Sequence, residues 1–238
     1  MAKWHTQWKV LRHGEFVELA ENLWWVEGSL PGMSLKRVMT VVRLNDGRLV
    51  IHNAIALQVE AMKRLDAWGS PAYMVVPNGA HRLDAVVYKQ RYPNLIVVSP
   101  KGSRTRVEEA VAVDLTYEEF PQDDTLRFET LQGISESEGA MIVKSRDGTS
   151  VVLNDAVFNM DRKRDPLGFF FTTVLGSAPG PRVSRLAKLV FVKDKRALRS
   201  HLERLAAIPD LTRLIVAHEK VASGPAAAEA LKRAATYL

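Results

Sequence analysis

The stretch Ala72–Pro93, AYMVVPNGAHRLDAVVYKQRYP, decides how the rest of the chain is read. Ala72 to Val76 is a short apolar run whose length and β-branching suit a buried strand. Pro77-Asn78-Gly79 breaks that strand with turn chemistry, and His81 follows where a loop leaves a strand end. Leu83, Val86 and Val87 then give a short helical stripe, closed by Tyr92-Pro93. Strand, turn, polar side chain and helix in that order are how an α/β fold presents a reactive group at the carboxyl edge of its sheet.

Upstream, residues 1–15 read as an irregular or partly helical lead-in, with Trp4 and Trp8 one helical turn apart. Strand patterns start at Phe16. Leu23–Val26 is a β-prone run ended by Glu27-Gly28, and Ser29–Gly32 reads as a loop. Arg37–Leu44 and Arg48–Ile55 flank the hairpin turn Asn45-Asp46-Gly47. Ala61, Met62, Leu65 and Trp68 repeat at helical spacing through Leu57–Trp68, and Gly69 is placed to stop that helix.

Downstream, Leu95–Val98 continues the β/α alternation, and Val107–Val113 predicts another short strand. Leu126–Leu131, Ala140–Lys144 and Ser150–Asn154 return to β character, with Arg146-Asp147-Gly148 as a second hairpin turn. Residues 161–182 hold Arg162-Lys163-Arg164, a Phe169-Phe170-Phe171 cluster and the Gly176–Pro181 stretch, and read as a flexible loop or partly helical cover. Leu198, Leu202 and Leu205 mark a helix over Lys195–Ala207, Leu214–Ala217 is the last strand, and Pro225 opens a final helix to Tyr237. Two β-rich stretches, each followed by helices, predict two packed sheets with helices on their outer faces, in one domain over residues 1–238.

Composition bounds the chemistry. Of 238 residues, 47% are hydrophobic and 25% charged, which suits a soluble globular protein. No apolar run approaches the ~20 residues that span a bilayer, so no membrane partner is expected. The basic start MAKWHTQWKVLRHGE lacks an apolar h-region and predicts no secretory signal. Without cysteine there are no disulfides, thiolate zinc sites, iron–sulfur clusters or cysteine nucleophile, and a cytoplasmic location is expected. The formal charge of +6 is uneven: residues 181–238 carry 12 Lys+Arg against 5 Asp+Glu. Those basic residues are scattered among apolar ones and not clustered in a run, which argues for a solvated surface and against nucleic acid.

Three ligand-type residues share one kind of position. His81, Asp155 and His218 each follow the carboxyl end of a predicted strand. Two neutral imidazoles and a carboxylate suit one zinc, iron or manganese ion, which could lower the pKa of a bound water to ~7. Their spacing adds little, because they are more than sixty residues apart. Each also has a structural role open to it: His81 bonding backbone at a helix start, Asp155 as an N-cap, His218 merely ending its strand. His52 lies at a strand end too, but reads as a hydrogen-bonded structural histidine. No G-x-S-x-G elbow, P-loop or Rossmann fingerprint is present, and nothing marks Glu136, Glu138 or Asp147 as an acid/base couple.

From about Phe16 onward this order of elements resembles the metallo-β-lactamase fold, an αββα sandwich with its active site along one edge between two sheets. Val50–Ala56 stands where that superfamily has a strand running into an Asp-containing turn. Val75–Asp84, VVPNGAHRLD, stands where it has the H-x-H-x-D-H metal motif. Val151–Phe158, VVLNDAVF, resembles the strand ending in the metal-bridging aspartate, and Leu214–His218, LIVAH, the strand ending in the last metal histidine. More narrowly, P-N-x-x-H…Y-P followed by N-D-A-x-F-N is similar to a divergent, uncharacterised branch with a degenerate metal motif. A gapless alignment puts Asn78, Ala80, Arg82 and Leu83 on the motif's ligand positions, with His81 out of register, and Leu131–Ser135 lacks the mid-chain histidine. The resemblance therefore implies a mononuclear site of His81, Asp155 and His218, or none, and no dinuclear centre.

Two functions follow from the resemblance. One is a metal-dependent hydrolase of an ester, amide or phosphoester, with His81 and His218 as ligands and Asp155 as ligand or general base. The other is a non-catalytic protein whose cleft binds an anionic small molecule or acidic partner through Arg82 and the basic C-terminal third. A homodimer is compatible with either.

Overall fold

The turn at Asn45-Asp46-Gly47 pairs the strands on either side of it, and the first sheet grows from that hairpin. The structure, a computed structural model, describes residues 4–238. Gly47 takes φ 85°, a left-handed conformation that glycine adopts without a Cβ penalty. The first sheet holds β1 (Val17–Ala20), β2 (Leu23–Leu30), β3 (Met33–Arg43), β4 (Arg48–His52), β5 (Ser70–Val75), β6 (Ile96–Ser99) and β7 (Leu115–Thr116), in chain order across the sheet. Pairing is antiparallel through β4 and parallel from β4 to β7. The parallel half needs crossovers. Helix α1 (Val59–Trp68) makes the first and α2 (Ala85–Arg91) the second, while α3 (Arg104–Glu108) lies in the third.

The second sheet runs β12-β11-β10-β9-β8, from β8 (Leu126–Thr130), β9 (Gly139–Ser145), β10 (Gly148–Leu153), β11 (Leu211–Val216) and β12 (Ala222–Ser223). Arg146-Asp147 turns β9 into β10. The β10–β11 pair is parallel, and the connection between them carries α4 (Pro166–Phe169), α5 (Arg185–Val190) and α6 (Lys195–Ala206). Helix α7 (Pro225–Ala235) closes the chain, with proline in its first turn.

Three apolar cores show the layering. Leu23, Val38, Tyr73, Met141, Val152 and Ile215 meet between the sheets. Met39, Ile51, Met62, Leu65, Met74 and Tyr88 pack α1 and α2 on the first sheet. Leu153, Leu198, Leu202, Val216 and Leu231 pack α6 and α7 on the second. Each such aliphatic side chain contributes about 1.5–3 kcal/mol by leaving water. The result is the four-layer αββα sandwich expected from the strand and helix order.

Four details differ from the sequence reading. Strand β2 continues past Val26 to Leu30, and the loop shrinks to Pro31-Gly32, because Gly32 at φ 73° allows a tight turn that pairs Leu30 with Met33. Val107–Val113 is not a strand. Arg104–Glu108 is helical, supported by an i,i+4 ion pair of 2.9 Å, and Val107, Val111 and Val113 face the outer core of the first sheet. The cover over residues 161–182 contains α4, N-capped by Asp165, which accepts from Gly168 N at 3.0 Å, and a π-type turn over Phe170–Val174. Of the lead-in, residues 1–3 lie outside the described residues, and residues 4–15 carry no helix. Trp8 is instead anchored, donating Nε1–H to the Leu57 carbonyl at 3.1 Å and packing on Tyr88. Among the described residues no helix is long and apolar enough to cross a membrane.

Candidate functional site

Parallel strands end together, so the loops that leave them share one edge. Asn53 follows β4, Asn78 and His81 follow β5, Asp155 follows β10, and His218 follows β11. At this edge the two sheets are also joined: Val38 N–H, from β3, donates to the Ala217 carbonyl at 2.8 Å. That bond brings the end of β11 against β3 and sets His218 opposite Lys36.

The three expected residues come together. His81 Nε2 lies 3.1 and 3.2 Å from the two Asp155 oxygens, and His218 Nε2 lies 3.3 Å from Asp155 Oδ1. One ligand atom from each residue falls within 4.8 Å of the others, a spread that could hold a metal ion. The donor set of two imidazoles and a carboxylate suits zinc, iron or manganese.

Each ring is oriented from behind. Asn53 Nδ2 donates to the Val38 carbonyl at 2.7 Å, so its Oδ1 is the atom that faces His81 Nδ1 at 3.1 Å. An amide oxygen only accepts, which places a proton on His81 Nδ1. The Lys36 carbonyl does the same for His218 Nδ1 at 2.7 Å. Both rings thus present Nε2 to Asp155. Asn53 holds its position in a left-handed conformation, φ 57°, that asparagine tolerates better than most residues. Phe158 stacks on His218 with centroids 5.6 Å apart.

Asp155 is held as firmly. Its Oδ2 accepts from Asn78 Nδ2 at 2.9 Å, and the same Nδ2 donates to Glu138 Oε1 at 2.7 Å. Glu138 is fully buried below the turn and also accepts from Asp155 N at 3.2 Å, Ala156 N at 2.7 Å and Asn154 Nδ2 at 3.4 Å. The carboxyl therefore clamps the 154–156 turn.

Burial works to raise the Asp155 pKa, but the charge of His81 and the hydrogen bond to His218 outweigh it and hold the group well below 3.8. For His218, burial works to lower the pKa, and the hydrogen bond and charge of Asp155 reverse this and raise it above 6.5. Burial, then the negative charge of Asp155, push Glu138 up to about 8.

His52 stays out of the cluster. It is buried at the end of β4, and burial, aided by the charge of His81, lowers its pKa to about 3, so it is neutral. Arg82 also points elsewhere: Nη2 pairs with Glu109 at 2.9 Å, Nη1 bonds the Arg106 carbonyl, and the guanidinium lies over Trp4. Sequence reasoning missed the supports: Asn53, Asn78, Glu138 and a buried pair, Arg37 Nη2 to Asp84 Oδ2 at 2.5 Å. Asp84 also meets His5 Nδ1 at 2.7 Å and Ala56 N at 2.9 Å. The turn at Pro77-Asn78-Gly79 was a readable signal for Asn78; the others carried none.

No family model matches the sequence, and no curated protein matches it. Among solved structures, the chain is similar to a metallo-β-lactamase from Pontibacter korlensis, with a TM-score of 0.61 over 94% of this chain and 99% of that one, at 10% identity. Identity that low speaks for architecture alone.

Proposed function

Taking the metallo-β-lactamase fold as its premise, we propose that the protein is a hydrolase dependent on one zinc, iron or manganese ion, with His81, Asp155 and His218 as its ligands. The observation that carries this reading is the pair of acceptors behind the rings. Asn53 Oδ1 and the Lys36 carbonyl keep the proton on each Nδ1, so each Nε2 lone pair is free to face inward when the ring is neutral. When bound, such an ion supplies a Lewis acid and lowers the pKa of a water to ~7.

The remaining steps belong to the chain. Asn78 holds Asp155 Oδ2, leaving Oδ1 toward both imidazoles. The depressed pKa of Asp155 makes it a weak proton acceptor at neutral pH, which favours the ligand role over that of general base. Without metal, the Nε2–Asp155 contacts are hydrogen bonds that need a proton on Nε2, so metal uptake releases protons. The anion-binding alternative is left with the basic C-terminal third, because Arg82 is engaged with Glu109 and the Arg37 charge is met by Asp84. A cytoplasmic setting belongs to the same reading, on the lack of cysteine.

The test is elemental mass spectrometry of untagged protein. About one equivalent of zinc, iron or manganese is expected, lost in His218→Ala. Metal content unchanged by that substitution, or no uptake after reconstitution, refutes the assignment.

A further inference from the structure

Beside the cluster lies a cavity of about 270 Å³ whose lining is part polar and mostly apolar. His81, Asp155, His218 and Asn53 supply part of that lining. The apolar part of the lining includes Leu30, Met33 and Leu35 from the β2–β3 hairpin, and Phe158, Phe171 and Leu186 from the cover segment and its flanks. Apart from the cluster itself, Arg37 is the one charged side chain of the lining; its Nη2 is paired with Asp84, and its buried Nε–H has no partner among the described residues. Ser184 also lines the cavity, but its hydroxyl is occupied as the N-cap of α5, accepting from Ala187 N at 2.9 Å. The Arg37 Nε–H can take one acceptor, but a full charge on a ligand would meet a guanidinium already neutralised by Asp84, and a desolvated unpaired charge is costly.

We propose that this cavity takes the uncharged apolar acyl or aryl half of an ester or amide, with the carbonyl at the His81–Asp155–His218 end. The volume is that of about nine waters at ~30 Å³ each, room for a medium chain or a substituted ring. The hydrolytic half of the statement rests on the proposed function, while the apolar preference needs no metal. In the reaction a water oxygen bonds to the acyl carbon, the acyl C–O or C–N bond breaks, and the water's proton passes to the leaving alkoxide or amine. The products are a carboxylic acid and an alcohol or amine, and no other reactant is consumed.

The experiment has two arms. In the first, metal-loaded protein is assayed on p-nitrophenyl esters from acetate to dodecanoate and on the anionic monosuccinate. Each methylene is expected to raise kcat/KM about three- to fourfold, from ~0.8 kcal/mol per buried CH2, until the chain reaches about eight carbons. The monosuccinate is expected to be no better than acetate. In the second arm, EDTA-treated protein is titrated calorimetrically with neutral amides from butanamide to decanamide, with the same slope expected. Leu186→Asp, at a half-buried position on the wall, is expected to weaken octanamide at least tenfold, and Ala80→Phe to end the slope at a shorter chain. Amide binding with the slope but no esterase activity refutes carboxylic ester hydrolysis at this site and supports the cavity assignment. Activity or binding without chain-length dependence, or a preference for the monosuccinate, overturns the cavity assignment and leaves the metal reading standing.

Discussion

Glu138→Gln probes how the turn carrying Asp155 is held, and its sign depends on pH. In the native protein Oε1 accepts from Asn78, Asn154 and Asp155 N, and Oε2 from Ala156 N. The amide NH2 of glutamine cannot accept, whereas the second oxygen of the carboxyl can even when protonated, so at least one buried N–H loses its partner, at a cost of about 1–3 kcal/mol. Against this stands the titration of the carboxyl. Burial and the Asp155 charge raise its pKa from 4.5 to about 8. Between those values the folded state keeps a proton that the unfolded chain has released, so the wild type loses stability as pH rises, by up to ~1.4 kcal/mol per pH unit. Glutamine has no such slope. The variant is expected to be less stable than wild type by about 1–3 kcal/mol near pH 4.5, equal to it near pH 6, and more stable at pH 8. Urea unfolding in EDTA at pH 5, 6, 7 and 8, with equal m-values, measures the gap directly. A gap that stays constant with pH, or that widens as pH rises, would refute the account of Glu138 as a buried acid strained by Asp155.

Asn53→Ala removes the acceptor behind His81 Nδ1 and is expected to weaken zinc binding about 10–100-fold by calorimetry; unchanged affinity would mean that Asn53 does not orient the ring. Arg37→Leu leaves the carboxylate of Asp84 short of its buried partner and should cost about 3–5 kcal/mol in urea unfolding, with only part of it recovered in the double variant Arg37→Leu/Asp84→Leu, which also orphans the Ala56 N–H. For His218 the folded pKa is raised, so its contribution to the metal-free protein is full below pH 6.5 and is lost as pH rises through the raised value. Metal binding needs that proton gone, so zinc affinity should tighten steadily from pH 6 upward, and affinity flat with pH would contradict the ligand role of His218.

What the sequence discloses about this fold is whatever is local. The hairpins at Asn45-Asp46-Gly47 and Arg146-Asp147-Gly148 are written in turn residues beside apolar runs, and both pair as read. Helix α1 and helix α6 are written in their spacing. The misread stretch Val107–Val113 is β-branched, but valines at 107 and 111 are four apart and serve a helical face equally well; what decides is the core they meet. Strand β7, two residues long, has no pattern to recognise.

The site divides along the same line. His81, Asp155 and His218 are findable because a polar residue after an apolar run marks the carboxyl edge of a sheet wherever the strands lie in sequence. Their supports are hidden for different reasons. The acceptor behind His218 is the Lys36 carbonyl, and a backbone carbonyl has no signature in the side chain that carries it. Glu138 stands in Ser135-Glu136-Ser137-Glu138-Gly139, which reads as a solvated acidic loop. It is buried only because β9 brings it under the Asn154–Ala156 turn, whose N–H groups it then accepts. Ligand-type residues are thus legible as positions, whereas the geometry that orients them comes from backbone and buried acceptors that long-range pairing alone assembles. For that reason the variant that best separates a metal centre from a hydrogen-bonded cluster is Asn53→Ala, read by zinc affinity: it leaves all three ligand side chains in the sequence and changes only what orients one of them.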